Sequence, residues 1–239
     1  QSLEEVAKYF PDLEDTGIAQ DLSDYFDEWN NLASNASEGS QKISLIEKAS
    51  TLTKDIQSTR STLRDLQDSL NTQLKTAVDE INSLGERLAE LNKQIGIVEA
   101  EKGNVANDLR DQRDELELSL SKLIGISVYK GNITSDTTKD ANLTDAGSEY
   151  YLNISGSSFV DGATFHPLVI ENGSNESAYY SVYSEMQDGS QYNLTEHLSG
   201  GKVGALLDLR GRVIDSSVNG GYPQDGIIQG YIDNIDSFA

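Results

Sequence analysis

The stretch Leu63–Val98, LRDLQDSLNTQLKTAVDEINSLGERLAELNKQIGIV, carries the strongest pattern in the chain. Its apolar positions are Leu63, Leu66, Leu70, Leu74, Ala77, Ile81, Leu84, Leu88, Leu91, Ile95 and Val98. The steps between them alternate between three and four residues, with one irregularity ending at Leu74. Side chains spaced this way stay on one helix face, so the stretch reads as an a/d seam of about five heptads. Leu45, Leu52 and Ile56 extend the same face upstream, and no Pro lies between residues 12 and 166. The spacing predicts one helix over about 43–98, roughly 84 Å long at 1.5 Å per residue. Gly85 and Gly96 fall inside it and weaken it by about 1 kcal/mol each relative to Ala.

The neighbouring segments extend this helix into a bundle. Gly103-Asn104 reads as a turn, with Asn104 or Asn107 as the cap of a second helix over about 105–124. Its seam is Val105, Leu109, Leu116, Leu120 and Leu123, and Gly125 ends it. Two such helices joined by a short turn predict an antiparallel hairpin. The first 42 residues read as a shorter helical arm. Val6, Tyr9 and Phe10 precede a Pro11-Asp12 break. Ile18, Leu22, Tyr25, Phe26, Trp29 and Leu32 then mark one helical face, whose aromatics are expected to pack on the long helix.

The character changes at Gly125. Short β-branched and aromatic runs, Ile126–Tyr129, Tyr150–Ile154, Phe165–Ile170 and Tyr179–Tyr183, are separated by Asp161-Gly162, Asn172-Gly173 and Asp188-Gly189. They predict a small antiparallel β domain. A helical pattern resumes at Gly200-Gly201 with Val203, Leu206, Leu207, Leu209, Arg210, Val213 and Ile214. Ile227, Ile228, Tyr231, Ile232, Ile235 and Phe238 give a last helical face. The expected fold class is α+β: an elongated helical bundle with a long heptad-patterned hairpin and an inserted antiparallel β domain. The expected domains are helical residues 1–125, a β-rich outer domain over 126–200, and helices over 201–239 that complete the helical domain. The last helix stops with its apolar face unfinished and the first residue is Gln1, so the chain reads as a fragment of a longer protein.

Composition narrows the function. The 239 residues hold 18 Lys plus Arg against 40 Asp plus Glu, a formal charge of −22. Nucleic-acid binding needs clustered cations, and docking on an anionic membrane needs the same. There is no Cys and only two His, His166 and His197, which excludes disulfides, thiolate catalysis and His-rich or Cys-ligated metal sites. The acid is uneven. Residues 1–42 carry ten acidic and two basic side chains, whereas 43–98 carry eight and seven. No apolar run approaches the roughly 20 residues that span a bilayer.

Motifs for chemistry are absent. Gly201-Lys202 suggests a phosphate loop, but Glu196 stands where Gly is needed and Val203 where Ser or Thr is needed. Asp12–Gly17 lacks the alternating ligands and terminal Glu of a calcium loop. The acid pairs Asp79-Glu80 and Asp114-Glu115 read as solvated helix faces. His166 and His197 read as surface or packing residues. No catalytic, cofactor-binding or metal-binding residue is expected, and no cofactor. Asn-x-Ser/Thr triplets occur at Asn35, Asn132, Asn142, Asn153, Asn172, Asn175 and Asn193. Only Asn142 has an acidic residue, Asp140, two positions before it, which makes it the candidate for bacterial glycosylation.

Four stretches carry a family likeness: DLSDYFDEWNNLAS over 21–34, LQDSLNTQLKTAVDEINSLGERLAELNKQI over 66–95, NDLRDQRDELELSLSKLIGISV over 107–128, and GGKVGALLDLR over 200–210. In this order the chain resembles the flagellar hook-associated protein FlgK family. The likeness rests on the helical parts, and residues 129–199 do not match by motif. The resemblance implies a non-catalytic structural subunit at the hook–filament junction, needed for filament assembly and motility. It implies export through the flagellar type III apparatus without a cleaved signal peptide, to the cell exterior. It further implies a central fragment lacking both terminal polymerisation segments, and partners in the hook protein, the second junction protein, an export chaperone and further copies in a ring. On this reading the fragment alone is monomeric, the helical domain is a strut and the acidic β domain faces the medium. Two rivals stand beside it. One is a surface adhesin or surface-layer binding module using the β domain. The other is an acid-pair hydrolase, for which no nucleophile or metal set is present.

Overall fold

A computed structural model describes residues 17–35, 37–100, 104–130, 149–172, 179–185, 189–212 and 226–238. The elements run α1 (Ile18–Ser34), α2 (Gly39–Glu99), α3 (Asn107–Leu123), β1 (Ser127–Lys130), β2 (Tyr150–Ile154), β3 (Ser157–Asp161), β4 (Thr164–Phe165), β5 (Leu168–Asn172), β6 (Tyr180–Glu185), β7 (Gln191–Asn193), α4 (Gly201–Arg210) and α5 (Ile227–Phe238). The α+β class expected from the patterning is the one observed. The chain divides into two compact units: Gln1–Gln67 with Ile228–Ala239, and Asp68–Ile227.

Helix α2 is 61 residues long, a few residues longer at its start than the heptads indicate. Leu63, Leu70, Leu74, Ala77, Ile81, Leu84, Leu88 and Ile95 of the expected seam are buried. Each buried Leu or Ile contributes roughly 1.5–3 kcal/mol. Leu66 and Leu91, however, are only half-buried, and Val98 is exposed. The buried set from Ala77 to Asn92 also takes in Val78, Gly85, Ala89 and Asn92. That is a broad face covered by a sheet as well as a helix, rather than the narrow stripe of a two-helix seam.

In the first unit α1 and α2 run antiparallel. Lys48 on α2 holds Asp24 on α1 at 2.6 Å, and Ser44 hydrogen-bonds Glu28 one turn further along. Helix α5 also lies antiparallel to α2: Arg60 grips Asp236 at 2.6 and 3.0 Å, and the Gln67 amide donates to Gln229 at 3.1 Å. The apolar core here is Leu52, Leu63, Ile228 and Ile232. The aromatic face of α1 does not pack as expected. No residue of α1 is buried, and Phe26 and Trp29 remain 56 % and 48 % exposed. Ile18, Leu22, Tyr25 and Leu32 of the same face are half-buried, and the Lys48–Asp24 pair adds a polar tie to α2.

In the second unit α3 folds back along α2. Arg110 pairs with Glu99 at 2.8 and 2.9 Å, and Arg113 reaches Asn92 at 3.1 Å, so α3 advances as α2 recedes. The residue capping α3 is Ala106, not Asn104 or Asn107. Its N–H donates to the Glu99 carboxylate at 3.1 Å, so a side chain from the preceding helix does the work of a cap.

The strands form two antiparallel sheets, β1-β2-β3-β4 and β5-β6-β7. The run Phe165–Ile170 is split by His166-Pro167, because Pro has no N–H to give to a ladder. That break passes the chain from the first sheet to the second. Strands β3 and β7 have no run of apolar residues to announce them. The β2–β3 turn is Ser155-Gly156, both with positive φ, at 48° and 84°. This left-handed pair suits a two-residue hairpin, and the Ser155 hydroxyl donates to the His197 carbonyl at 2.9 Å. Helix α4 starts where Gly201, also at positive φ, lies against the Leu123 and Ile124 backbone, leaving no room for a side chain. The expected extension of α4 to Val213 and Ile214 falls outside the described residues, as do Val6, Tyr9, Phe10 and Pro11.

Candidate functional site

The second unit is organised by three asparagines on α2. Asn82 donates to the Leu168 carbonyl at 2.8 Å and accepts from the Leu168 N–H at 2.9 Å. Its amide therefore pairs with the first residue of β5 as a strand neighbour would. Asn92 donates to the Gly162 carbonyl at 2.8 Å, in the turn between β3 and β4. Asn71 accepts from the Tyr180 N–H at 3.0 Å, at the start of β6, and from Arg210 on α4 at 2.5 Å. The three positions are eleven and ten residues apart, close to three turns each, so they share a helix face. Both sheets are thus bonded through their backbone to the long helix.

Gly85 lies between two of these clamps. A Cβ there would come within 2.6 Å of the Phe159 and Phe165 rings. Those rings meet edge to face, with centroids 5.3 Å apart. The glycine that looks like a weak point of the helix is the notch in which the first sheet seats its aromatics.

Buried cations complete the arrangement. Arg113 is fully buried, with its guanidinium 4.7 Å from the Tyr150 ring centre and its Nε 3.8 Å from Glu117. Burial lowers its pKa despite these neighbours. Burial also pushes the Tyr150 hydroxyl well above the ordinary phenol range, and the facing Glu117 carboxylate adds to the rise. Lys130 on β1 bridges Asp114 at 2.8 Å and Glu117 at 3.3 Å. Arg210 lies over the Tyr179 ring at 5.3 Å, and burial lowers its pKa to about 10. At the hairpin end burial would raise Glu99, but the Arg110 guanidinium and the Ala106 N–H outweigh it and hold the carboxyl below its usual value. These groups fix one arrangement of helix and sheets.

The structure does not assemble the sequence candidates into a catalytic set. His197 is exposed, stacked on Tyr192 with rings 6.1 Å apart. His166 gives its backbone N–H to Phe159 between β4 and β5. Asp79 pairs with Lys75, and Asp114 with Lys130. Lys202 stands exposed in the first turn of α4. Among the described residues no group of three or more His, Asp or Glu could hold a metal ion. Among them, too, no helix is long and apolar enough to cross a membrane. Of the Asn-x-Ser/Thr triplets, Asn142, Asn132 and Asn175 fall outside the described residues. Asn193 accepts the Thr195 N–H at 2.9 Å, and the buried Thr195 hydroxyl accepts the Val182 N–H, so this triplet is spent on structure.

Sequence reasoning passed over Asn71, Asn82, Asn92, Gly85 and Arg113. The available signal was polar: three asparagines recurring at near-integral turns beside an apolar seam.

Comparison with known proteins gives this arrangement a context. A family model described as the flagellar hook-associated protein FlgK helical domain matches residues 3–239. Flagellar hook-associated protein 1 of Escherichia coli K12 is 27 % identical over 208 residues, covering 85 % of this chain and 35 % of that protein. The Bacillus subtilis protein of the same name is 30 % identical over 128 residues, 54 % of this chain and 25 % of that one. The solved structure of the flagellar hook junction protein FlgK from Burkholderia pseudomallei superposes with a TM-score of 0.68 at 26 % identity, covering 85 % of this chain and 34 % of that one. The chain therefore spans between a quarter and about a third of the length of these relatives. With a family model matched along nearly all of its residues, the chain belongs to the family of the FlgK helical domain.

Proposed function

We infer that this chain is part of a structural subunit of the bacterial flagellum, an adaptor at the hook–filament junction required for filament assembly and motility. The observation that carries the reading is the family match over residues 3–239, joined to a helix whose asparagines bind the backbone of both sheets. A junction between a bending hook and a stiff filament calls for a subunit that holds its shape under load. Buried amide clamps and a filled notch at Gly85 supply that within the second unit. The subunit acts outside the cell without catalysis. Its partners are further copies of itself, the hook protein, the second junction protein and an export chaperone.

The proposed domains are helical residues 1–125, a β-rich outer domain over 126–200 and helices over 201–239. The element order, with every strand among the described residues lying between α3 and α4, supports this division. The relatives' shared name favours the flagellar reading over an adhesin. The test is complementation of a strain lacking its own hook-associated protein, using the full-length protein with and without residues 129–199. Restored filaments and motility support the junction role, and the truncation reports whether the β region is needed. Failure to restore either, with unpolymerised flagellin in the medium, overturns it.

A further inference from the structure

The outer face of the first sheet carries an aromatic and acidic row that the packing does not use. Register sets Tyr129 of β1 opposite Tyr151 of β2, and Tyr151 opposite Asp161 of β3. Directly opposed residues share a face with Cβ atoms about 5 Å apart, so the row spans about 10 Å across three strands. The alternate residues of β2, Tyr150 and Leu152, are buried on the other face. Tyr129 and Tyr151 stay 62 % and 40 % exposed, with ring centres 6.1 Å apart and planes tilted by 40°. Asp161 is exposed as well, and among the described residues its carboxylate has no cation. Lys130, the cation of β1, stands opposite Tyr150 and bridges Asp114 and Glu117 instead. Elsewhere in this unit buried tyrosines do receive a guanidinium: Arg113 lies over Tyr150 at 4.7 Å and Arg210 over Tyr179 at 5.3 Å. The outer row has the rings and the carboxylate of such a site without the cation.

We propose that Tyr129, Tyr151 and Asp161 form a docking site for an arginine side chain on a basic segment of a partner protein. The face of a tyrosine ring carries partial negative charge and attracts a cation. A guanidinium is flat and weakly hydrated, so it can lie on Tyr151 while its N–H groups donate to the Asp161 carboxylate beside it. A lysine ammonium, compact and strongly hydrated, gains less from the same rings. Charge selects the class of partner. The chain carries a formal charge of −22, which draws a basic segment and repels anions. A second copy is a poor occupant for the same reason, since it brings 40 acidic side chains against 18 basic ones. The site does not depend on the hook–filament role.

The test is NMR titration of the whole chain with an end-blocked peptide of alternating arginine and serine. The same peptide with citrulline for arginine, and the neutral oligosaccharide cellohexaose, are titrated beside it. Shifts should converge on Tyr129, Tyr151 and Asp161 with the arginine peptide alone, and should shrink as added salt screens the charge. Y129S, Y151S and D161N should each weaken binding by about two- to fivefold, the worth of one exposed cation–ring or ion-pair contact. E86Q, which removes an exposed charge on α2 in the same unit, should change nothing. The three side chains of the row are exposed, and the amide spectrum checks that each variant keeps its fold; should a tyrosine variant lose it, D161N still decides. Shifts scattered over the acidic surface, with D161N and E86Q behaving alike, overturn the site. Equal binding of the citrulline peptide overturns it too, as does a response of the two tyrosines to cellohexaose, which would make the row a glycan face. Self-association in sedimentation that Y129S abolishes would give the row to a second copy and overturn it as well.

Discussion

Replacing Asn92 with Leu separates two views of the long helix. On the heptad pattern alone, a buried polar residue beside Leu91 and Leu88 is a flaw, and Leu should stabilise by the 1.5–3 kcal/mol of a newly buried side chain. The structure gives the opposite sign. Asn92 is 1 % exposed, donates to the Gly162 carbonyl at 2.8 Å and accepts from Arg113 at 3.1 Å. Removing the amide strands a carbonyl in the interior, at about 1–3 kcal/mol, and deprives a buried guanidinium of an acceptor, at about 1.5–3 kcal/mol. Together these come to about 4 kcal/mol, against about 2 kcal/mol recovered by the Leu side chain. The expected outcome is a net loss of about 2 kcal/mol, or a Tm lower by about 4–8 °C for a unit of this size. Calorimetry beside far-UV dichroism measures it, since two units can melt separately. A double-mutant cycle with R113M then isolates the pair, with an expected coupling of about 1–3 kcal/mol. An N92L chain that melts at or above the wild type would refute the clamp and restore the simple seam.

The remaining expectations concern the two helix glycines and the hairpin end. G96A should raise stability by about 1 kcal/mol, because a methyl group there meets nothing within 4 Å. G85L should lower it by about 1–3 kcal/mol or more, because the notch is filled by Phe159 and Phe165. Denaturant midpoints of the two variants should therefore move in opposite directions. The Glu99 carboxyl is held below its usual value of 4.5, so its contribution is complete above that pH and drains away as pH falls below it. E99Q should flatten the acid limb of the second unit's stability curve, and an unchanged limb would show that the Arg110 pair carries no such linkage.

The helices were legible in the sequence because their signal is periodic and long. The apolar positions from Leu45 to Val98, and the final face from Ile227 to Phe238, mark their helices within a few residues. The strands were legible where β-branched and aromatic residues cluster, as at Tyr150–Ile154. They were not legible at Ser157–Asp161 or Gln191–Asn193, where pairing partners and not composition make the strand. The clamps were hidden for another reason. An asparagine on a helix has the same identity whether it faces water or a strand, and only the tertiary fold says which. The aromatics of α1 show the converse error, since their spacing implied burial and Phe26 and Trp29 are exposed.

The asparagines of α2 reach the strand segments through main-chain atoms, at Gly162, Leu168 and Tyr180. Their grip is therefore indifferent to which side chains the bound positions carry. The anchor points lie roughly 16 and 15 Å apart along the helix axis at 1.5 Å per residue. Between them the exposed positions of the β segments are free to change sequence, and loops between strands to change length, while the scaffold keeps its hold. The one substitution such a scheme forbids at Leu168 and Tyr180 is Pro, which has no N–H to offer. A rigid support that reads backbone and ignores side chains allows an outer surface to diversify without being redesigned from within.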